Sequence, residues 1–243
     1  MSWKLTAYRA ASKLPGVGTA LERVRDHLSH RALSRRGSYS QHGEDLFLRD
    51  HFAGVKGRYV DVGASHPFRI SNTYLLYTLG WRGVVVEPIA RLCELHRRWR
   101  PRDDHRNVAV GREAGELTFH ELVPSVLSTF DAAVADQHLA GGGAVLRRRY
   151  PVPVVTLAHL LATAGGPVDL LSVDAEGLDH AILSSNDWAA YRPTLVMFEV
   201  NDGDPPASEG LLTANGYRPL RRIGCNRIYE RVEPTQPRTQ GQA

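Results

Sequence analysis

The sequence predicts an α/β domain, a mostly parallel sheet covered by helices on both faces and closed at one edge by an antiparallel hairpin. Three observations lead there. Short β-rich bursts alternate with helical segments through most of the 243 residues. The bursts are continuously apolar instead of alternating, as in strands buried on both faces. The last two bursts have only turn residues between them, which suits a hairpin and not a crossover.

Taken in order, "RYVDVG" is the first strand and runs into a glycine turn at Gly63. "SNTYLLYTLG" follows as a helix with Tyr74, Leu75 and Leu79 on one face, capped by Ser71 or Asn72 and ended by Gly80. "WRGVVVEP" is a second strand stopped by Pro88, "IARLCELHRRW" a second helix, and "HRNVAVG" a third strand. Residues 111–155 break the rhythm: "ELTFHELVPSVLSTF" and "DQHLAGGGAVLRRRYPVPVVT" read as an inserted strand pair with a Gly-rich segment, which we take as a lid. "VDLLSVDAEG", the helix "LDHAILSSNDW" and "RPTLVMFEVN" resume the alternation. The helix "ASEGLLTANG" then leads to "YRPLRRIG" and "CNRIYER", the hairpin. This divides the chain into a basic helical arm (1–37), a domain (38–232) and a disordered tail (233–243).

Composition narrows the class. Hydrophobic residues make up 42% and charged residues 23%, ordinary for a globular protein with a buried core. No apolar run approaches the ~18 residues of a membrane span, and the start lacks a secretory signal. Two distant cysteines, Cys93 and Cys225, make neither a disulfide framework nor a metal knuckle, so reduced thiols in the cytoplasm are expected. The net charge of +4 is uneven. Residues 1–36 hold eight basic side chains against Glu22 and Asp26, so the remainder is slightly acidic. That is poor for a phosphate backbone and speaks against nucleic acid as partner. The arm reads as a solvated helix or the arm of a homodimer.

In open α/β sheets ligands bind beyond the carboxyl ends of the strands. There the sequence puts Asp61, Gly63 and Ser65 after the first strand, Glu87 after the second and Asn107 after the third. Asp174, Glu176 and Asp179 come after the fourth, Glu199 and Asn201 after the fifth. Any one acid alone could shape a turn, face solvent or cap a helix. Together they form a ring of carboxylates that repels itself unless cations or hydroxyl donors lie within it. Glu87, roughly 20–25 residues beyond the glycine turn, is placed for the ribose hydroxyls of an adenosine. That spacing serves NAD or S-adenosylmethionine. A pyrophosphate needs several glycines at the first turn. "DVGASHP" has one, and this favours the sulfonium over an NAD-dependent oxidoreductase, which stays open as the rival.

With these residues in view, the sequence resembles the FkbM-type S-adenosylmethionine-dependent O-methyltransferases. The likeness is carried by "SQHGEDL", "VDVGASHPFRISNTYLLYTLGWRGVVVEP", "VPVVTL", "SVDAEGLDHAIL" and "YRPTLVMFEV", in that order. It implies a Rossmann-like class I methyltransferase fold with a seven-stranded sheet. S-adenosylmethionine would rest on Asp61, Gly63, Ser65 and Glu87, with Asn107 and Val108 near the adenine and Gln41, Asn72 and Asp174 around the amino-acid end. It also implies a bacterial, cytoplasmic enzyme methylating hydroxyls of sugars or of macrolides and other polyketides, and of these we favour a saccharide.

The hydroxyl proton must go somewhere, and two routes are open. One is a side-chain base, for which Glu176 is the first choice, His66 the second, and Asp174 a further catalytic residue. The other is magnesium on the oxygen ligands Asp174, Glu199 and Asn201. Ser128 and Thr129 in the insertion are candidate contacts to the acceptor.

Overall fold

A computed structural model describes residues 17–175, 177–200 and 205–232. The chain runs α1 (Val17–Arg36), α2 (Glu44–His51), β1 (Arg58–Val62), α3 (Tyr74–Thr78), β2 (Arg82–Val86), α4 (Ala90–Trp99), β3 (Asp104–Arg106) and β4 (Ala109–Val110). It continues with β5 (Gly115–Val123), α5 (Ala132–Ala140), β6 (Val145–Val155), α6 (Leu157–Ala162), β7 (Leu170–Val173) and α7 (Asp179–Ser184). β8 (Leu195–Glu199), α8 (Pro205–Ala214), β9 (Tyr217–Ile223) and β10 (Asn226–Arg231) complete it.

Seven strands form the main sheet in the order β3-β2-β1-β7-β8-β10-β9. The first five are parallel, and β10 pairs antiparallel with both β8 and β9. Strand order reverses between β1 and β7, which opens a crevice there. Both faces are apolar, as the continuous bursts foretold. Val60, Val62, Val84, Val86, Leu171 and Val173 point to one side, where Leu157, Leu160, Ile182 and Leu183 of α6 and α7 cover them. Tyr59, Val85, Leu170 and Met197 point to the other, against Leu48, Leu76 and Trp81. Neighbouring strand residues alternate between two cores because the side-chain period of a strand is two.

Two features depart from the expected elements. "HRNVAVG" does not form one strand. Asp104–Arg106 joins the main sheet, and Ala109–Val110 pairs instead with β6 in a second sheet of order β4-β6-β5. Between them Asn107 turns its side-chain amide back onto the carbonyls of Glu87 and Pro88. The inserted pair is the antiparallel β5–β6 ladder, and Phe119, Val152 and Val154 seat it on Ile89 and Leu92. In addition α1 lies against the domain. His30 contacts Phe68, Tyr74 and Trp99, and Asp26, buried, takes a hydrogen bond from Arg69.

Candidate functional site

Register alone assembles the site. Val62 stands level with Val86 and Val173, Val173 with Phe198, and Val86 with Arg106. The next residue of each strand end therefore falls in one row along the carboxyl edge: Asn107, Glu87, Gly63, Asp174, Glu199. A cavity of about 600 Å³ opens over this row, and Gly63, Glu87, Asp174 and Glu199 are all in its wall. This size suits a nucleoside-sized ligand.

Gly63 has no substitute there. Its φ of +76° is a left-handed conformation, and a Cβ would fall 1.8 Å from the carbonyl oxygen of Asp174. The bare backbone lets the turn lie close to β7 and leaves room above it. Ser65, also at positive φ (48°), aims its N–H at Glu87 Oε2 at 2.9 Å. Glu87 Oε1 accepts from the Ile89 N–H at 2.7 Å. Glu87 is thus pinned at both oxygens, and burial pushes its pKa up to about 8. Without hydroxyl donors from a ligand, this carboxyl holds its proton at neutral pH.

Asp61 is placed differently from the expectation. It is not in the cavity wall. Its buried carboxyl accepts from the Thr73 hydroxyl and lies 3.7 Å from the Arg100 guanidinium. Burial raises its pKa, and Arg100 opposes that rise. Arg100 also donates to Asp103 at 2.7 Å and to Thr73 at 2.9 Å, while Asp103 accepts from Tyr59 and from the Gly83 N–H. This is a buried brace behind the glycine turn. Asn107 stands in the row but spends its amide on the two carbonyls, leaving Val108 as the wall residue. Asn72 is half-buried and outside the wall.

"SQHGEDL" resolves into bracing. Buried Asp45 accepts from the Ser38 and Ser40 hydroxyls, each at 2.7 Å, and from the Tyr39 N–H. Glu44 accepts from the His42 N–H and from Asn226 on β10. These bonds fix the loop that carries Gln41 to the cavity wall.

At the other end of the row, Asp174 and Glu199 are half-buried in the wall. Behind them Asp179 is buried beside Glu199, and burial reinforced by that neighbouring charge raises its pKa to about 7. Glu176 and Asn201 lie outside the described residues. Among the described residues no three His, Cys, Asp or Glu side chains gather closely enough to hold a metal. His66 lines the cavity, but not as a base. Its Nδ1 accepts from the N–H groups of Phe68 and Arg69, so the proton of the neutral ring belongs on Nε2. Burial, with Arg69, Arg25 and Arg91 nearby, drops its pKa to about 3. The ring therefore presents a donor.

The second sheet supplies the facing wall. Ser128 and Thr129 reach the cavity, yet both hydroxyl oxygens already serve the backbone: Ser128 Oγ accepts from the Leu122 N–H of β5 and Thr129 Oγ1 from the Asp131 N–H at the start of α5. Phe119, Ile89 and Leu92 make the wall apolar. Among the wall residues the sequence reading missed are all three of its arginines, Arg25, Arg69 and Arg91. Arg69 and Arg91 come a few residues beyond the first and second strand ends, the one signal that could have found them.

A doubly wound sheet with a single-glycine turn and a row of acids along its carboxyl edge is the layout of an enzyme that binds a nucleoside-sized ligand at the strand ends. The chain matches the family described as Methyltransferase FkbM domain over residues 61–219, and it belongs to that family of S-adenosylmethionine-dependent methyltransferases. The NAD-dependent reading is thereby set aside. No curated protein matches the chain. Among solved structures it is similar to a TehB-like SAM-dependent methyltransferase from Corynebacterium glutamicum, at 11% identity and a TM-score of 0.43, covering 88% of this chain and 100% of that one. The residues in place are compatible with the donor: Gly63, the carboxyl of Glu87 and the half-buried acids Asp174 and Glu199 all border one cavity of nucleoside size.

Proposed function

We propose that this enzyme methylates a hydroxyl oxygen of a small molecule, a saccharide by preference. The observation that carries the reading is the row Glu87–Gly63–Asp174–Glu199 under a single cavity. S-adenosylmethionine supplies a methyl group already activated by its sulfonium. Glu87 would accept from the ribose hydroxyls, and Gly63 and Ser65 would carry the chain linking ribose to amino acid. Gln41 and Asp174 would hold the amino-acid end. The insertion 111–155 acts as the lid over the adenine, with Val108 beneath.

The chain's remaining task is to align the acceptor and take its proton. The carboxylates Asp174 and Glu199, or Glu176, supply the base. His66 donates a hydrogen bond from Nε2 and orients the acceptor. Magnesium on Asp174, Glu199 and Asn201 is the second route. Turnover lost in EDTA and restored by magnesium would assign these groups to a metal, whereas undiminished turnover assigns a carboxylate alone.

The test is a methyl-transfer screen with labelled donor against saccharides and macrolides. Product from saccharides supports the reading. Product only from macrolides moves the acceptor to the polyketides, and no O-methylated product from either panel ends the hydroxyl reading.

A further inference from the structure

The cavity has a floor and a rim of opposite character. On the floor Glu87 is 4% exposed, with Asp174 and Glu199 half-buried at the strand ends. The rim is formed by Arg25 on α1, Arg69 in the loop after β1, and Arg91 on α4. Their side chains are 51%, 26% and 41% exposed. A cofactor seated over Gly63 occupies the floor, so the rim meets whatever enters second.

The rim is rich in positive charge. Asp26 accepts from Arg69 and lies 3.9 Å from Arg25. Glu121, fully buried, is shared by Arg91 at 3.3 Å, Arg148 at 2.8 Å and Arg147 at 3.7 Å. Glu121 is thus divided among three guanidiniums. Moreover, two buried donors at the rim lack a partner among the described residues, His66 Nε2 and Arg69 Nε. The acid beside His66 Nε2, Asp26 Oδ1, is 3.8 Å away, beyond a hydrogen bond.

We propose that the acceptor carries an anionic group, a phosphate ester or a carboxylate, which the rim of Arg25, His66, Arg69 and Arg91 binds while the acceptor hydroxyl reaches the floor. The charge steers the acceptor in and fixes which hydroxyl is presented. This rests on the reading that a small hydroxyl compound is methylated.

The test uses the full chain saturated with S-adenosylhomocysteine and titrated calorimetrically with mannose 6-phosphate, glucuronate and uncharged mannose. One or both charged sugars should bind at least about tenfold more tightly than mannose. That advantage should shrink as salt rises from about 0.05 M to about 0.5 M, and the tighter of the two names the phosphate or the carboxylate as the preferred group. Arg69→Gln should lose most of the advantage while holding S-adenosylhomocysteine as before. If losing the Asp26 contact unfolds that variant, Arg91→Gln and the salt dependence of the wild type decide. Equal, salt-independent binding of charged and uncharged sugars would overturn the proposal. So would charged sugars that bind only when S-adenosylhomocysteine is absent, because the rim would then serve the methionine carboxylate. A protein that binds charged sugars but methylates no hydroxyl keeps the anion site and loses the acceptor reading. One that methylates neutral sugars as fast as charged ones does the reverse.

Discussion

The two walls of the cavity are built on different logic. The floor is the carboxyl edge of a parallel sheet, where backbone register places each residue. Val62, Val86, Val173 and Phe198 stand level, so Gly63, Glu87, Asp174 and Glu199 have no freedom to be elsewhere. The opposite wall is the β4-β6-β5 sheet, held by the apolar contacts of Phe119, Val152 and Val154 with Ile89 and Leu92. Its polar groups either serve neighbouring backbone, as Ser128 and Thr129 do, or balance charge at the surface, as Arg148 does. The contrast teaches that residues at the strand ends are placed by backbone register, while the facing wall is placed by side-chain packing and has more freedom to vary. A site on strands is held more tightly than one on loops.

The comparison breaks if the floor tolerates what it should not. Gly63→Val puts a side chain where the Asp174 carbonyl lies and demands φ +76° of a β-branched residue. We expect a loss of stability on the order of 3 kcal/mol and no measurable S-adenosylhomocysteine binding. A variant that melts like the wild type and binds the ligand would refute the close-approach argument.

Next in size is Glu87→Ala, which removes the acceptor we propose for the ribose hydroxyls. S-adenosylhomocysteine should bind about 10- to 100-fold more weakly by calorimetry, from hydrogen bonds to a charged group at roughly 1.5–3 kcal/mol. Unchanged affinity would take Glu87 out of the site.

Glu87 also sharpens the comparison through pH. Its pKa is raised from 4.5 to about 8 by burial, so the folded protein holds a proton that the unfolded chain releases. This contribution to stability is fully present below about pH 4.5 and is lost as pH rises through 8. Ribose hydroxyls favour the ionised carboxyl, so ligand binding near pH 7 should release a proton. Calorimetry in buffers of differing ionisation enthalpy would show it, and binding without proton release would contradict a neutral Glu87. In Glu87→Gln the release should vanish.

The smallest effect belongs to the facing wall. Arg148→Gln removes a half-exposed arginine whose buried partner Glu121 keeps Arg91 and Arg147, and should change stability by less than about 1 kcal/mol and leave S-adenosylhomocysteine affinity within about twofold. A large loss of cofactor binding would show that the second sheet shares the work of the first.

Much of this was legible in the residues, and the failures have a common cause. The strands, the closing hairpin and the row of acids were visible because apolar runs and strand ends are local features. Asp61 was read as a cofactor ligand because it precedes the glycine turn, yet its side chain points to Arg100, a residue 39 positions on. "HRNVAVG" read as one strand because nothing in it shows that Ala109 and Val110 find their partner at Val154 and Val155. His66 read as a base because the sequence does not show that two N–H groups occupy its Nδ1.

By itself, then, the sequence determined the order of strands and helices, the turn that needs glycine, and which acids end which strands, since local periodicity and backbone sterics dictate all three. Only the tertiary structure decided which of those acids face the cavity and where Arg25, Arg69 and Arg91 meet. Those outcomes depend on side-chain direction and on contacts between distant segments, and packing sets both.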